Sequence, residues 1–567
     1  MQINTELLEQ INSWLEQDPD SVTHLKLTEL VNAANDGDGA ALIELQDAFR
    51  APLEFGTAGL RGALGPGPNR MNRVTVLQAI GGFVEYLKEK GFSGQKVVIG
   101  YDARYNSDVF AKDSAEVLAG NGFIPVLFDH VVPTPVLAFA IRELNTCAGI
   151  MVTASHNPPQ DNGYKVYLGD GRQIVPPADQ EISAQIRKIK DVRNLNRGTK
   201  IEVAPASCEA AYVKSVSKLI NGGPTDSNTR KNIKTVYTAM HGVGWQTLKD
   251  VFQSCELNMP IAVIEQRDPD PAFPTVAFPN PEEKGALDLS IEQALKENAD
   301  VLLANDPDAD RLAVALPTEN NDWKMLRGDQ VGILLGWWMG HRARLTNQKL
   351  SGTLASSIVS SMMLEVIAIN SGFKYEHTLT GFKWVSRVPN LVFGYEEALG
   401  YCVDPPSVGD KDGISAAAMF VEMASVLKVQ GKTIWQELDE LALEYGLFVS
   451  DQVSVRVTDI SAVPEVMGNL RSNPPKKFGN LKVDSVIDLA KPESGLPPTD
   501  GIIFYLSGAS EITRGRVIVR PSGTEPKIKC YLEVVANTDN LTSGRALAAH
   551  ELSEIARDAQ PLLIGGN

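Results

Sequence analysis

At 567 residues the chain is too long for one compact core and long enough for roughly three or four domains, so a small stapled scaffold is excluded. Lys and Arg total 53 against 70 Asp and Glu, a formal net charge of −17 that repels nucleic acid and anionic membrane; anionic ligands must meet local sites. With 43 % hydrophobic and 22 % charged residues, the composition is that of a folded globular protein, not a disordered or fibrous one.

From Ile3 to about Phe49, apolar residues recur at helical spacing (Leu7, Ile11, Leu15, then Leu25, Leu27, Leu30, Val31), which predicts a helical N-terminal extension over 1–50. From Lys96 the apolar runs KVVIGYD, IPVLFD and AGIMVTAS alternate with helical stretches, the rhythm of βαβ units and a mostly parallel sheet, giving an α/β domain over 51–205. KTVYTAMHGVG, PIAVIE and ADVLLANDPDADRLAVAL predict a second over 206–318. A third, 319–450, starts at the helical GDQVGILLGWWMGHRARL, includes GTLASSIVSS, YEHTLTGF and NLVFGYEEALGY, and closes with one long helical stretch from Gly413 to Tyr445. In 451–567, DQVSVRV, GIIFYLS, RVIVRPSG and KIKCYLEVV alternate like antiparallel strands before a helix near Gly544–Ala559. The fold class is therefore α/β, three successive mixed α/β domains plus a C-terminal α+β domain. Cys147, Cys208, Cys255, Cys402 and Cys530 form no CxxC pair and no zinc or disulfide pattern, which fits a reducing, cytoplasmic setting. The N-terminus carries no secretory pattern, and the best apolar run, 331–340, is too short to span a bilayer.

Four loops carry chemistry. Thr153-Ala154-Ser155-His156-Asn157-Pro158-Pro159 follows the apolar strand 148–152; at such a carboxyl end, a Ser ahead of a Pro-stiffened turn is expected to be displayed rather than buried. A polar turn in which Ser155 and Asn157 bond local backbone is the plainer alternative. A hydrolase triad lacks support, because GxSxG is absent and His156 is expected to project away from Ser155 in an extended segment. Asp306-Pro307-Asp308-Ala309-Asp310-Arg311 follows the apolar strand 301–304, and its carboxylates at i, i+2 and i+4 can converge on one hard cation, Mg²⁺ being the natural occupant. Three close carboxylates repel one another unless neutralised, and Arg311 alone is insufficient. Gly394-Tyr395-Glu396-Glu397-Ala398-Leu399-Gly400 holds two carboxylates suited to sugar hydroxyls, or else an ordinary Glu pair at a helix start. Arg520-Pro521-Ser522-Gly523-Thr524-Glu525-Pro526-Lys527 offers a guanidinium fork, hydroxyls, glycine-exposed backbone N–H groups and an ammonium to a phosphate dianion.

TASHNPP, DPDADR, the Glu-Glu loop and RPSGTEPK, in that order, resemble the α-D-phosphohexomutase family of phosphoglucomutases and phosphomannomutases over nearly the whole chain, as does Gly56-Thr57-Ala58-Gly59-Leu60-Arg61-Gly62. GFKWV at 381–385 and GYEEALGY resemble the branch that includes phosphopentomutases. The resemblance implies four domains around a central cleft, the fourth a mobile cap. It implies a Mg²⁺-dependent mutase in which a phosphorylated Ser155 hands its phosphoryl group to a sugar monophosphate and, after a bisphosphorylated sugar has turned round, takes back the other; glucose 1,6-bisphosphate is the implied activator. Ser155, Lys165, Arg61 and His156 are the implied catalytic residues, and Asp306, Asp308 and Asp310 with Ser155 the metal ligands. Arg311, Lys383, Glu396, Glu397, Arg520, Ser522, Gly523, Thr524 and Lys527 are the implied substrate contacts. Arg104 and His241 match supporting positions, and burial of Lys165 beside cations is expected to lower its pKa. Small-molecule sugar phosphates are the expected partners, with no nucleic acid and no membrane; the oligomeric state is open. The family's sugar loop often reads Glu-x-Ser, and Ala398 departs from it. Glucose, mannose, ribose and deoxyribose phosphates all stay open, as does synthesis of the bisphosphate. A sugar phosphatase is the remote alternative, since Asp310 stands where a DxDxT loop needs Thr.

Overall fold

Helices Thr5–Gln17, Ser21–Asn35 and Gly39–Ala48 occupy the segment whose apolar spacing predicts helix, each opened by a side-chain cap: Asn4, Asp20 and Asp38 accept the first free backbone N–H groups. Leu7, Ile11 and Trp14 turn inward, Trp14 meets Phe49 edge-on at 6.1 Å, and this face joins the same apolar core as the first sheet. The computed structural model describes residues 3–56, 59–320, 322–456, 462–521 and 527–564.

The chain divides into two compact units. The first comprises Met1–Leu326, Phe382–Arg387 and Leu399–Val426. Its first sheet is built from β1 (Leu60–Ala63), β2 (Lys96–Tyr101), β3 (Ile124–Leu127), β4 (Ala148–Val152), β5 (Asp161–Leu168) and β6 (Glu202–Val203), in the order β1-β5-β4-β2-β3-β6. β4, β2, β3 and β6 run parallel, while β5 pairs antiparallel with β4 and β1 antiparallel with β5, so the sheet is mixed. The second sheet comprises β7 (Thr235–Thr238), β8 (Ile261–Ala262), β9 (Val301–Ala304), β10 (Ala313–Pro317) and β11 (Trp323–Met325), in the order β11-β10-β9-β7-β8. Every residue of β4 and β9 is buried, as continuous apolar runs require of central strands. Both deliver a polar loop at the carboxyl end, where ligands collect in open α/β sheets.

The second unit comprises Arg327–Gly381, Val388–Ala398 and Leu427–Asn567. Here β12 (Thr353–Ser357) lies between β13 (Lys374–Thr378) and β14 (Leu391–Glu396), parallel to both, and β14 ends on Glu396. β15 (Gly400–Cys402) belongs to the first unit, where Gly400 bridges Arg311. The last sheet is antiparallel: β16 (Leu447–Arg456), β17 (Lys477–Phe478), β18 (Leu481–Asp488), β19 (Ile502–Ser507), β20 (Ile512–Pro521) and β21 (Lys527–Ala536), in the order β16-β21-β20-β19-β18-β17, with helix Leu541–Leu563 in its core. The stretch from Gly413 to Tyr445 is two helices, not one: Gly413–Val429 stops before Gly431, which takes a left-handed φ of 74°, and Thr433 caps a new helix, Ile434–Tyr445, in a capping box with Gln436. All five cysteines are buried free thiols, and among the described residues no single helix is long and apolar enough to cross a membrane.

Candidate active site

Ser155 follows β4 by three residues and sits at a φ of 52°, a left-handed turn that folds the loop back on itself. The serine is buried, 2 % exposed, so the expectation of a displayed hydroxyl is corrected. Its neighbour is corrected too: because the turn is not extended, His156 Nδ1 comes within 3.3 Å of Ser155 Oγ. Burial, with Arg311 and Arg61 nearby, holds that imidazole well below its usual pKa, hence neutral. The loop hangs on Arg104, itself buried, whose guanidinium donates to the carbonyls of Ser155 and Asn157 (2.6 Å each), Pro158 (2.8 Å) and Asp161 (3.1 Å). Replacing Arg104 by Met strips four loop carbonyls of their donor. We expect about 3 kcal/mol of lost stability with the carboxylate cluster intact, read by denaturant midpoint.

Ser155 Oγ donates to Asp306 Oδ2 at 2.7 Å. Asp306, Asp308 and Asp310 are fully buried beyond β9 and bring one carboxylate oxygen each to within 4.8 Å of the others, helped by the left-handed φ of 55° at Ala309. The neutralising charges come from elsewhere in the fold. Lys165, opposite Met151 on β5, reaches Asp308 Oδ2 at 2.6 Å and Asp310 Oδ2 at 2.9 Å, and Lys411 adds a contact of 3.1 Å to Asp310 Oδ2. Thr134 donates its hydroxyl to Asp308 Oδ2 at 2.6 Å. Asp308 Oδ1 and Asp310 Oδ1 stay buried without a hydrogen-bond partner among the described residues. Two orphaned carboxylate oxygens in a buried three-aspartate cluster fit a hard divalent cation.

Burial alone would raise all three carboxyls. For Asp308 and Asp310 the Lys165 ammonium reverses this and holds both low; Asp306, without that partner and beside two carboxylates, is held well above the usual range. The expected lowering of Lys165 is overturned: burial pulls its pKa down, but the two aspartates around it outweigh burial and raise it. In this geometry Lys165 is the charge partner of both aspartates.

Arg61 lies on β1 and donates to Asn157 Oδ1 at 3.2 Å, linking the entry segment to the Ser155 loop. Arg311 stands 3.8 Å from both Asp306 and Asp310. Lys383 is buried 5.4 Å above the Trp384 ring, its ammonium without a hydrogen-bond partner among the described residues, and burial lowers its pKa to about 8. His241 is buried against the Thr275 hydroxyl at 2.8 Å, a packed and satisfied histidine.

In the second unit, Glu396 Oε1 accepts the Gly381 N–H at 2.6 Å. Glu397 Oε2 accepts from Ser357 (3.0 Å) and Ser360 (3.2 Å), and its own N–H donates to Ser360 Oγ at 3.1 Å. The pair ends a strand instead of starting a helix. Arg520 and Lys527 flank the last candidate loop on β20 and β21; Ser522, Gly523 and Thr524 lie outside the described residues. Burial, and the charges of Glu396 and Asp329, raise the Glu397 carboxyl to about 7. Since this lies above the unfolded value, the folded protein holds the proton more tightly; that stabilisation is complete below about pH 4.5 and lost as pH rises through 7. Glu397→Gln is therefore expected to raise the melting temperature at pH 8, by a few degrees at most for a half-buried side chain, and to leave it unchanged at pH 4.5.

Sequence reading missed Lys411, Thr134 and the scale of Arg104's role. Lys411 had a signal, the charged run Gly409-Asp410-Lys411-Asp412-Gly413, whereas Thr134 stands at an ordinary helix start with nothing local to mark it.

Four successive regions match the phosphoglucomutase/phosphomannomutase family: alpha/beta/alpha domain I over 52–193, domain II over 210–319, domain III over 327–445 and the C-terminal domain over 511–549. A "Probable phosphomannomutase" of Haemophilus influenzae is 49 % identical, covering 82 % of this chain and 93 % of the relative. A phosphopentomutase of Homo sapiens is 38 % identical, covering 93 % and 91 %, and a human glucose 1,6-bisphosphate synthase 35 % identical, covering 96 % and 92 %. Among solved structures, parafusin (phosphoglucomutase) of Paramecium shares the fold with a TM-score of 0.69 at 18 % identity, covering 89 % of this chain and 95 % of that one. The chain is an enzyme of the isomerase class that moves phosphoryl groups. It belongs to the phosphoglucomutase/phosphomannomutase family and has its four-domain α/β architecture.

Proposed function

We propose that the chain is a Mg²⁺-dependent phosphosugar mutase that interconverts sugar 1-phosphates with 6-phosphates of glucose or mannose, through a phosphorylated Ser155 and a bisphosphorylated sugar. The observation that carries this reading is Ser155 Oγ lying 2.7 Å from Asp306 within a buried cluster of three aspartates. Phosphoryl transfer asks chiefly for alignment and charge, and Arg61, Lys165 and Arg311 supply fixed positive charge while Arg104 fixes the loop. Mg²⁺ held by Asp306, Asp308 and Asp310 supplies further neutralisation of phosphoryl oxygens. As the Ser155 Oγ–P bond breaks and a sugar hydroxyl takes the phosphoryl group from the opposite side, the sugar hydroxyl loses a proton and Ser155 Oγ gains one; neutral His156, 3.3 Å from Oγ, is placed to relay a proton to that leaving oxygen. Glu396 and Glu397 bind sugar hydroxyls, and Lys383, Arg520, Ser522, Gly523, Thr524 and Lys527 bind substrate with its non-transferring phosphate. The working partition is an extension over 1–50 and domains over 51–205, 206–318, 319–450 and 451–567.

Two further readings share these parts. Phosphopentomutase activity is supported by the near full-length phosphopentomutase relative and by Ala398 in the sugar loop; synthesis of glucose 1,6-bisphosphate is supported by the synthase relative. The test is a coupled isomerisation assay with Mg²⁺ and catalytic glucose 1,6-bisphosphate, offering glucose, mannose, ribose and deoxyribose 1-phosphates in parallel. Isomer formation supports the mutase, and its preference fixes the sugar. No isomer from any of the four, with Ser155 nonetheless phosphorylated, would move the assignment to the synthase; steady release of inorganic phosphate alone would make it a phosphatase.

A further inference from the structure

The turn after β12 is gripped at three consecutive residues by buried charged side chains. Arg516 on β20 donates to the Ser360 carbonyl at 2.5 Å; Asp329, in helix Gly328–Leu345, accepts the Ser361 N–H at 2.7 Å; Glu533 on β21 accepts the Met362 N–H at 3.1 Å. Arg516 and Glu533 are direct cross-strand partners, so their side chains leave the sheet on one face, where they pair at 3.3 Å with exposures of 8 % and 3 %. Burying two charges is costly unless every donor and acceptor is used, and here the pair spends its capacity on the backbone of one turn. That same turn carries Ser360, whose hydroxyl takes the Glu397 N–H and, together with Ser357, donates to Glu397 Oε2; the two hydroxyls lie 2.9 Å apart.

We infer that Arg516, braced by Glu533, is a positioning residue for the sugar-reading carboxylate: it sets Glu397 through Ser360, so that the C-terminal sheet governs how well the sugar ring is held. The inference rests on the proposed role of Glu397. Arg516 touches the Ser360 carbonyl and not Glu397, so its effect passes through one residue and must vanish when the hydroxyl link is cut.

The experiment is a double-mutant cycle read in KM and kcat, with glucose 1-phosphate and ribose 1-phosphate as substrates, on full-length protein carrying Arg516→Met, Arg516→Lys, Ser360→Ala, Glu397→Gln and the pairs of Arg516→Met with each of the last two. We expect Arg516→Met and Ser360→Ala each to raise KM about 10-fold on the preferred substrate, the loss of one hydrogen bond to a charged group, with kcat little changed. Phosphorylation of Ser155 by glucose 1,6-bisphosphate should vary less than the KM of the monophosphate. Arg516→Lys should recover part of the loss, and Arg516→Met should add less than 2-fold on top of Ser360→Ala or Glu397→Gln. Should Arg516→Met fail to fold, Arg516→Lys alone and combined with Ser360→Ala carries the same test, because it keeps the charge beside Glu533 while losing the guanidinium's reach to the Ser360 carbonyl. Additive effects, or an unchanged KM in a folded Arg516→Met, would overturn the relay while leaving Glu397 as a sugar contact. An unchanged KM in Glu397→Gln would overturn the sugar-reading role, and the relay with it.

Discussion

Ser155→Ala is expected to abolish turnover on every sugar phosphate, by roughly 10⁴-fold or more, in a protein that folds as the parent does. On the proposed mechanism the Ser155 hydroxyl carries the phosphoryl group, and the nearest other hydroxyl in its loop, Thr153 Oγ1, is already used to accept the Ser155 N–H at 2.9 Å. The cost to folding is small because the substitution removes one hydrogen bond, to Asp306. Alanine also accepts the left-handed turn at little more cost than serine, since both carry a Cβ. Three measurements separate the outcomes: the isomerase rate, the melting temperature, and intact mass after incubation with glucose 1,6-bisphosphate. The variant should gain no phosphoryl group and melt within a few degrees of the parent. Turnover above about a hundredth of the parental rate would mean that the phosphoryl group travels by another residue.

What could be read from the sequence was whatever is local. β4 and β9 are unbroken apolar runs ending in polar loops, so Ser155 and the three aspartates could be placed at strand ends without any tertiary information. The errors arose where distant strands meet. β5, an antiparallel return strand, places Lys165 opposite Met151 and under the aspartates, and nothing in NGYKVY announces the partners that raise its pKa instead of lowering it. The left-handed turn at Ser155 likewise inverts the expectation for His156, because a serine at positive φ has no sequence signature of the kind glycine provides. Gly431, between the polar Gln430 and Lys432 and ahead of the capping Thr433, did announce the break between two helices.

The largest combined loss of stability and activity is expected from Asp310→Asn. Asp310 Oδ2 faces two ammonium groups, Lys165 at 2.9 Å and Lys411 at 3.1 Å, whose side chains are 5 % and 11 % exposed. Asparagine preserves the shape and one acceptor but removes the charge, leaving two buried cations to share Asp308 and Asp410. Breaking one partner of a buried pair costs about 3 kcal/mol, so the denaturant midpoint should fall clearly. If Asp310 is one of three anionic Mg²⁺ ligands, as proposed, Mg²⁺ affinity, followed by calorimetry on protein stripped with a chelator, should drop at least 10-fold in the variant, and turnover should follow it. These two effects can be pulled apart. Lys411→Met in the Asp310→Asn background removes the surplus cation as well, and is expected to restore most of the stability because a neutral pair replaces an unbalanced one. It cannot restore an anionic ligand, so Mg²⁺ binding and turnover should stay at the single-variant level. A double variant that regained both would mean that Asp310 serves only to balance charge in the fold, and that the cation sits elsewhere.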